Sequence, residues 1–259
     1  MTDKAASTIQ VIDRLARLLD AVAASDEPVS LKVLSARTGL HPSTAFRILA
    51  SLSEHGFVER SSAGHYRLGV RLLQLGSRVQ GRLDLRREAR PIMEWLRTEI
   101  GETVNLIVRE GDEVVYVERA TPSRMMRVEQ IIGGRAPLHV TAVGKLFLAE
   151  GGAEACLEYA ERTGLPPRTP HSITDPALLW RSVKKTLQQG YSLDDQEAEL
   201  GVGCIGVPVR DSSGRMIAGI SVSAPIERRQ EAWIASVRQA GEKLSARLGY
   251  HGEGRSPQI

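Results

Sequence analysis

The chain has 259 residues, of which 42% are hydrophobic and 25% are charged, a composition typical of a globular protein and unlike that of a disordered or fibrous chain. This length predicts two domains of ordinary size. No run approaches the roughly 18 consecutive apolar residues of a membrane span, and the N-terminus lacks the pattern of a secretory signal. The two cysteines are too few for a disulfide framework. We therefore expect a cytoplasmic protein with no membrane partner.

The excess positive charge lies in the first part of the chain. The formal net charge is +3, and residues 1–80 contain 10 Lys and Arg against 7 Asp and Glu, whereas residues 81–259 contain 24 of each kind. This distribution indicates a first domain that faces a polyanion. Because affinity for DNA grows with the number of phosphate contacts, so small an excess per copy favours an oligomer.

Three amphipathic segments near the N-terminus predict helices. The first runs from Ser7 to Ala24, with Ser7 or Thr8 as its cap, and the second from Ser30 to Arg37, followed by a turn at Gly39. The third begins at Pro42, which suits a first helical turn, and ends at Gly56. Its apolar face is expected to comprise Phe46, Ile48, Leu49 and Leu52.

Two short alternating segments, 57–60 and 65–68, follow the third helix and predict a hairpin. Together these elements have the spacing of a winged helix-turn-helix over residues 1–68. In this motif the second of the two helices that flank the turn enters the major groove of DNA. Few aromatic residues are present to stack unpaired bases, which favours double-stranded DNA as the partner. The candidate DNA contacts, each of which can also serve as a capping or surface residue, are His41, Ser43, Thr44, Arg47 and Arg67.

Residues 69–90 predict a helical linker weakened by Gly76 and Gly81. Beyond it, residues 91–250 predict an α+β domain with an antiparallel sheet, and residues 251–259 a flexible tail. The predicted strands form two hairpins, 103–109 with 114–119 and 205–210 with 216–223. The predicted helices are 91–100, 141–149, 153–163, 176–189 and 227–248.

A candidate ligand site combines an apolar wall with a few polar groups. Ser221 and Ser223 are two residues apart in a predicted strand, so both hydroxyls point to one face of the sheet. The full candidate set is Leu138, Ala142, Val143, Asp194, Cys204, Ser221 and Ser223. A flap-like segment that carries Met125, Met126, Ile131 and Ile132 is expected either to wall this pocket or to form subunit contacts.

Two other uses of these residues are disfavoured. An enzyme would employ Cys204 as the nucleophile with His139 and Asp194, but Cys204 lies in an apolar run with no adjacent cation to lower its pKa. A metal sensor would recruit His171 as well, but the close ligand spacing of a zinc site is missing. We therefore expect no catalytic residues, no metal and no cofactor.

Several segments are typical of one protein family: STIQVIDRLARLLD, LSARTGLHPSTAFRILASLSEHGFVER and YRLGVRLLQLG at the N-terminus, and later residues 101–150 and 190–223. Through these segments the chain resembles the IclR family of bacterial transcription regulators. The resemblance fails only at the tail from His251. It implies a GAF/PAS-like effector-binding domain, with small organic acids bound among the residues matching Ala142, Val143, Asp194, Cys204, Ser221 and Ser223.

The resemblance further implies a repressor or activator of catabolic genes whose homodimers pair into homotetramers. Some family members have glycine where this chain has Ala142, so the added methyl group affects the shape of the ligand. The alternative is a constitutive DNA-binding oligomer whose second domain only mediates assembly.

Overall fold

The computed structural model describes residues 9–80, 84–250 and 252. The chain divides into two compact units with the boundary just before Asp84, and the second unit extends to Gly252. Within the described ranges, no helix is both long and apolar enough to cross a membrane.

The first unit is a winged helix-turn-helix, as predicted. A three-stranded antiparallel sheet, in the order β1-β3-β2, combines a strand between α1 and α2 with the two strands after α3. Strand β1 was not predicted because its two residues are too few to show an alternating pattern. The elements are α1 Gln10–Ala23, β1 Val29–Ser30, α2 Leu31–Thr38, α3 Pro42–Glu54, β2 Val58–Arg60, β3 His65–Leu68 and α4 Val70–Gln80.

The turn between α2 and α3 is set by local sequence. The Ser30 hydroxyl accepts a hydrogen bond from the Val33 amide at the start of α2, and Gly39 adopts a left-handed φ of 67° at its end, a conformation that favours glycine. Pro42 occupies the first turn of α3, as expected. Behind the turn, α2 and α3 bury Leu34 and Leu49 in the core of this unit.

The expected core position of Phe46 is wrong. Its side chain is 41% exposed, whereas Ala45, Leu49 and Leu52 are buried, because these three residues share one face of α3 and Phe46 lies about 100° around the helix. The Arg60 guanidinium lies 5.7 Å from the Phe46 ring centroid. The predicted caps of α1, Ser7 and Thr8, lie outside the described residues.

The second unit contains a six-stranded antiparallel sheet in the order β6-β5-β4-β9-β8-β7. The predicted α+β class is confirmed. Strands β6 and β7 were not predicted because each is shorter than five residues. The elements are α5 Leu85–Ile100, β4 Thr103–Glu110, β5 Glu113–Ala120, β6 Arg135–Pro137, α6 Ala142–Thr163, α7 Pro176–Gln189, β7 Ser192–Asp195, β8 Val202–Arg210, β9 Met216–Pro225 and α8 Trp233–Arg247.

Helices cover both faces of this sheet. On one face α8 packs so closely that a Cβ atom on Gly241 would come within 2.8 Å of Val207. On the other face the first turn of α6 lies against the sheet, and a Cβ atom on Gly206 would come within 3.2 Å of Val143. Because Gly206 and Val207 are adjacent in β8, they lie on opposite faces of the sheet. Gly206 faces α6 and Val207 faces α8.

Two predicted helix starts differ from the structure by more than one turn, whereas the predicted break within residues 141–163 is present. Helix α5 begins at Leu85 and contains Pro91 internally, so residues 85–90 belong to this helix and not to a separate linker. The reason is the Asp84 side chain, which accepts from the Arg86 and Arg87 amides and caps the helix. Helix α8 begins at Trp233, because residues 226–228 form an isolated 3-10 turn after Pro225. Residues 142–163 are continuous except at Gly152, whose φ of 75° separates the two predicted helices.

Gly81 and most of the predicted tail, residues 251 and 253–259, lie outside the described residues.

Candidate DNA-binding surface and effector site

The N-terminal end of α3 presents polar side chains to solvent. His41 is the N-cap residue, and its Nδ1 atom lies 2.8 Å from the Ser43 hydroxyl. Both side chains are exposed. Thr44 is half-buried and lines, with Arg47, a groove of about 470 Å³ between α1 and α3. The structure therefore brings these four predicted residues together at the start of one helix.

The two predicted arginine contacts differ in their surroundings. Arg47 is exposed, and among the described residues it has no hydrogen bond or ion pair. Arg67, on the wing, forms an ion pair with Glu59 at 2.7 Å. A phosphate would have to compete with this carboxylate for Arg67 but not for Arg47, so Arg47 is the better placed of the two to bind DNA.

In the second unit, strand register brings the predicted polar residues together. Asp194 is paired with Cys204, and Cys204 with Ser223, across β7, β8 and β9. Ser221 lies two residues before Ser223 and is paired with Gly206. Because paired residues point to the same face, these side chains form one cluster on the sheet face that α6 covers. The Cys204 Sγ atom lies 3.2 Å from the Ser223 Oγ atom. We call Asn105, Asp194, Cys204, Ser221 and Ser223 the polar cluster.

Asn105 belongs to this cluster but was not predicted. It is paired with Ser221 between β4 and β9, and its Nδ2 group donates to the Ser223 hydroxyl at 3.2 Å. The sequence around Asn105 does not indicate a role in ligand binding, because only the register of β4 against β9 shows that its side chain faces the two serines.

Asp194 is a buried carboxyl group with an altered acidity. Its Oδ1 atom accepts hydrogen bonds from the amides of Glu197 at 2.8 Å and Ala198 at 3.4 Å. Burial raises the pKa of Asp194 to about 6, although the Lys145 ammonium group acts in the opposite direction. This side chain therefore changes its charge close to neutral pH.

The buried ammonium group of Lys145 is another feature that the sequence pattern does not predict. Lys145 lies in the second turn of α6, and its Nζ atom is 2.5 Å from Glu197 Oε1. Both side chains are less than a tenth exposed. The two charges of this pair act on the pKa of Asp194 in opposite directions, since Lys145 lowers it and Glu197 raises it. The helical position of Lys145 within an apolar run gives no indication of the pair.

The apolar candidates lie at and before the start of α6. Thr141 caps this helix by accepting from the Gly144 amide at 3.1 Å. Ala142 and Val143 lie directly against the sheet at Gly206. Leu138, in contrast, packs in the apolar core that also contains Phe147 and Tyr159. Ala142 and Val143 therefore adjoin the polar cluster, whereas Leu138 supports the helix start from behind.

The residues of the disfavoured catalytic alternative have other partners. His139 bonds to the Tyr159 hydroxyl and to the Pro166 carbonyl. Burial raises the pKa of the Cys204 thiol well above its ordinary value, which opposes formation of a nucleophilic thiolate. In the part of the chain that the structure describes, no group of three or more His, Cys, Asp and Glu residues is arranged to hold a metal ion.

The flap-like segment between β5 and β6 leaves its large apolar side chains on the surface. Met125 is 99% exposed, and Met126, Ile131 and Ile132 are also exposed. The segment is attached to the body of the unit, because Thr103 donates to the Val128 carbonyl and Arg228 donates to the Met126 carbonyl. In this chain these four side chains therefore do not wall the polar cluster.

Comparisons with known proteins agree with this architecture. The IclR helix-turn-helix domain matches residues 11–62, and the C-terminal domain of bacterial transcriptional regulator IclR matches residues 77–246. The HTH-type transcriptional regulator XynR of Escherichia coli strain K12 is 34% identical over 93% of this chain and 98% of its own.

Two solved structures are also similar over nearly the whole of each solved chain. The repressor BlcR of Agobacterium tumefaciens is 30% identical, with a TM-score of 0.75 over 94% of this chain and 98% of its own. An IclR homolog from Microbacterium hydrocarbonoxydans, complexed with 4-hydroxybenzoate, is 29% identical, with a TM-score of 0.60 over 92% of this chain and 98% of its own. This chain belongs to the IclR family of bacterial transcriptional regulators and combines a DNA-binding domain with an effector-binding domain.

Proposed function

We propose that this regulator represses or activates catabolic genes in the cytoplasm in response to a small organic or aromatic acid. The observation that carries the proposal is the polar cluster, which lies against the first turn of α6. Amide groups at a helix start suit an anion, and the hydroxyls of Ser221 and Ser223 suit its oxygen atoms. The complex of a relative with 4-hydroxybenzoate supports an acid of this size.

In this proposal the effector contacts Ala142, Val143, Asp194, Cys204, Ser221 and Ser223, with Leu138 behind the helix start. Every one of these residues is buried. Entry of an effector therefore requires neighbouring elements to move, and such a movement is a means by which binding changes the preferred arrangement of the protein.

The DNA-binding unit reads a pseudo-palindromic operator with His41, Ser43, Thr44, Arg47 and Arg67. Arg47 supports this role most directly, because its guanidinium is exposed and has no ion pair with any residue that the structure describes. Arg47→Ala is expected to weaken the affinity for DNA about 5- to 100-fold. Arg67→Ala should weaken this affinity less, because Glu59 already neutralises the charge of Arg67. Electrophoretic mobility shifts on an operator selected from random duplex DNA test this order. Equal losses, or a larger loss with Arg67→Ala, would contradict it.

We further propose that the protein acts as a homodimer that pairs into a homotetramer. Large apolar side chains are exposed on two helices of the first unit, and exposed apolar patches mark interaction sites. These residues are Ile9, Val11 and Ile12 on or beside α1, and Val70, Leu73 and Leu75 on α4. Sedimentation equilibrium of Val11→Asp and Leu73→Asp variants tests this; an unchanged mass would remove both helices from the interface.

The double variant Ser221→Ala, Ser223→Ala tests the effector site. Isothermal titration calorimetry with 4-hydroxybenzoate and a panel of small carboxylates should detect binding to the wild type and lost affinity in the variant. Ser213→Ala, an exposed serine on the β8–β9 turn, is the matched control. If nothing in the panel binds the wild type, the alternative of a constitutive oligomer is favoured.

A further inference from the structure

The side-chain amide of Asn105 contains a buried oxygen atom that accepts no hydrogen bond from the residues that the structure describes. The residue is 0% exposed, and its Oδ1 atom has no hydrogen-bond partner in the part of the chain that the structure describes. A buried acceptor without a donor costs about 1–3 kcal/mol. An apolar residue would avoid this cost on a strand whose neighbours are largely apolar. The amide therefore needs an explanation beyond folding.

The other end of the same amide is already engaged. Nδ2 donates to the Ser223 hydroxyl, which in turn lies 3.2 Å from the Cys204 sulfur. This contact fixes the plane of the amide within the polar cluster. The free oxygen consequently belongs to a group whose position is set by a residue of the proposed effector site.

The side chains nearest to Asn105 in the sheet do not supply the missing donor. Arg119 is paired with Asn105 across β4 and β5, but it bonds to Glu129 at 2.8 Å and to the Gln130 carbonyl. The Thr103 hydroxyl, two residues away on the same face, donates to the Val128 carbonyl. Ser221 lies opposite Asn105 on β9, and no hydrogen bond joins the two side chains.

The missing partner must be a hydrogen-bond donor. A carboxylate group is acceptor-only and cannot satisfy a carbonyl oxygen, whereas a hydroxyl group can. We propose that Asn105 is a specificity residue that accepts a hydrogen bond from a hydroxyl group of the effector, and that the effector is a hydroxylated acid. This inference rests on the proposed function of the polar cluster as an effector site.

The arrangement explains how related acids are distinguished. A site built to bond a hydroxyl group rejects the analogue that lacks it, because the buried acceptor is then left without a partner. A hydroxy acid gains this contact, and the matching deoxy acid does not. Loss of one such contact corresponds to a change of about tenfold or more in affinity.

Isothermal titration calorimetry of the full-length protein with matched acids tests the inference. The probes are three pairs that differ by one hydroxyl group: glycolate and acetate, lactate and propionate, and 4-hydroxybenzoate and benzoate. For a pair that binds, the wild type should prefer the hydroxy acid about tenfold or more. In Asn105→Ala this preference should disappear, because the hydroxy acid loses about tenfold more affinity than the deoxy acid, whereas any shift of Ser223 affects both acids alike.

Thr103→Val is the matched control, because it alters the next residue on the same face of β4 and should leave the preference intact. If Asn105→Ala does not fold, Asn105→Ser removes the carbonyl group but retains a short polar side chain. The wild-type comparison can overturn the inference without any variant, whereas the Asn105 variants are needed to assign the preference to this residue.

Equal affinity of the wild type for both members of every bound pair would overturn the inference, as would a preference that persists in the Asn105 variants. These results would leave the proposed effector site in place. If no acid of the panel binds the wild type, the proposed function fails, and the inference fails with it.

Discussion

Replacing Asp194 by Asn should stabilise the second unit at neutral pH. In the unfolded chain this carboxyl ionises near pH 3.8, whereas burial raises its pKa to about 6 in the folded chain. The folded state therefore binds more protons between these values, and stability falls as pH rises through this window. The full difference corresponds to about 3 kcal/mol, which is lost above pH 6. Asn has no proton to lose and keeps an oxygen acceptor for the Glu197 and Ala198 amides.

The expected advantage of Asp194→Asn is up to about 3 kcal/mol at pH 7.5 and about half of that at pH 5. Urea unfolding followed by tryptophan fluorescence measures it, since Trp95, Trp180 and Trp233 all lie in the second unit. Asp195→Asn is the control, because this neighbour is 58% exposed and its ion pair with Arg229 contributes little. A variant that is less stable than the wild type at pH 7.5, or that gains the same free energy of unfolding at both pH values, would show that burial of the Asp194 charge does not destabilise the fold.

Further substitutions test the packing. Leu49→Ala should lower the free energy of unfolding by about 2–5 kcal/mol, and Phe46→Ala should lower it by less than about 1 kcal/mol. Urea unfolding followed by circular dichroism measures both changes. A larger loss with Phe46→Ala would show that Phe46 belongs to the core. Lys145→Ala should cost about 3–5 kcal/mol because it leaves Glu197 as an uncompensated buried charge, and adding Glu197→Ala should recover part of the loss, as measured by tryptophan fluorescence. Gly39→Ala should lower stability by about 1 kcal/mol because of its left-handed φ; a more stable variant would show that the turn is relaxed.

The sequence predicts elements well where the signal is local. The cap at Ser30, the turn at Gly39 and the Pro42 start of α3 each depend on a few adjacent residues, and all three are present. The position of Phe46 was wrong because a continuous apolar run does not show which residues share the buried face. The start of α5 was wrong because Pro91 suits both a first turn and this internal position.

The candidate site depends on contacts between residues far apart in the chain. Ser221 and Ser223 could be assigned to one face because strand periodicity relates them directly. Asn105 is 118 residues from Ser223 and meets it only through the pairing of β4 with β9. The buried charge of Lys145 likewise depends on Glu197, 52 residues away. The periodicity of a sequence does not show which residues of distant strands are paired, so the contacts of these residues are visible only in the structure.

An acid bound at the polar cluster is expected to change the affinity of the protein for DNA. The most direct test measures binding of the selected operator, with and without a saturating acid, by the wild type and by the Ser221→Ala, Ser223→Ala variant. A coupled change of about 5- to 150-fold is expected in the wild type, and no change in the variant at the same acid concentration. An unchanged wild-type affinity with the acid bound, or an equal response in the variant, would contradict the account.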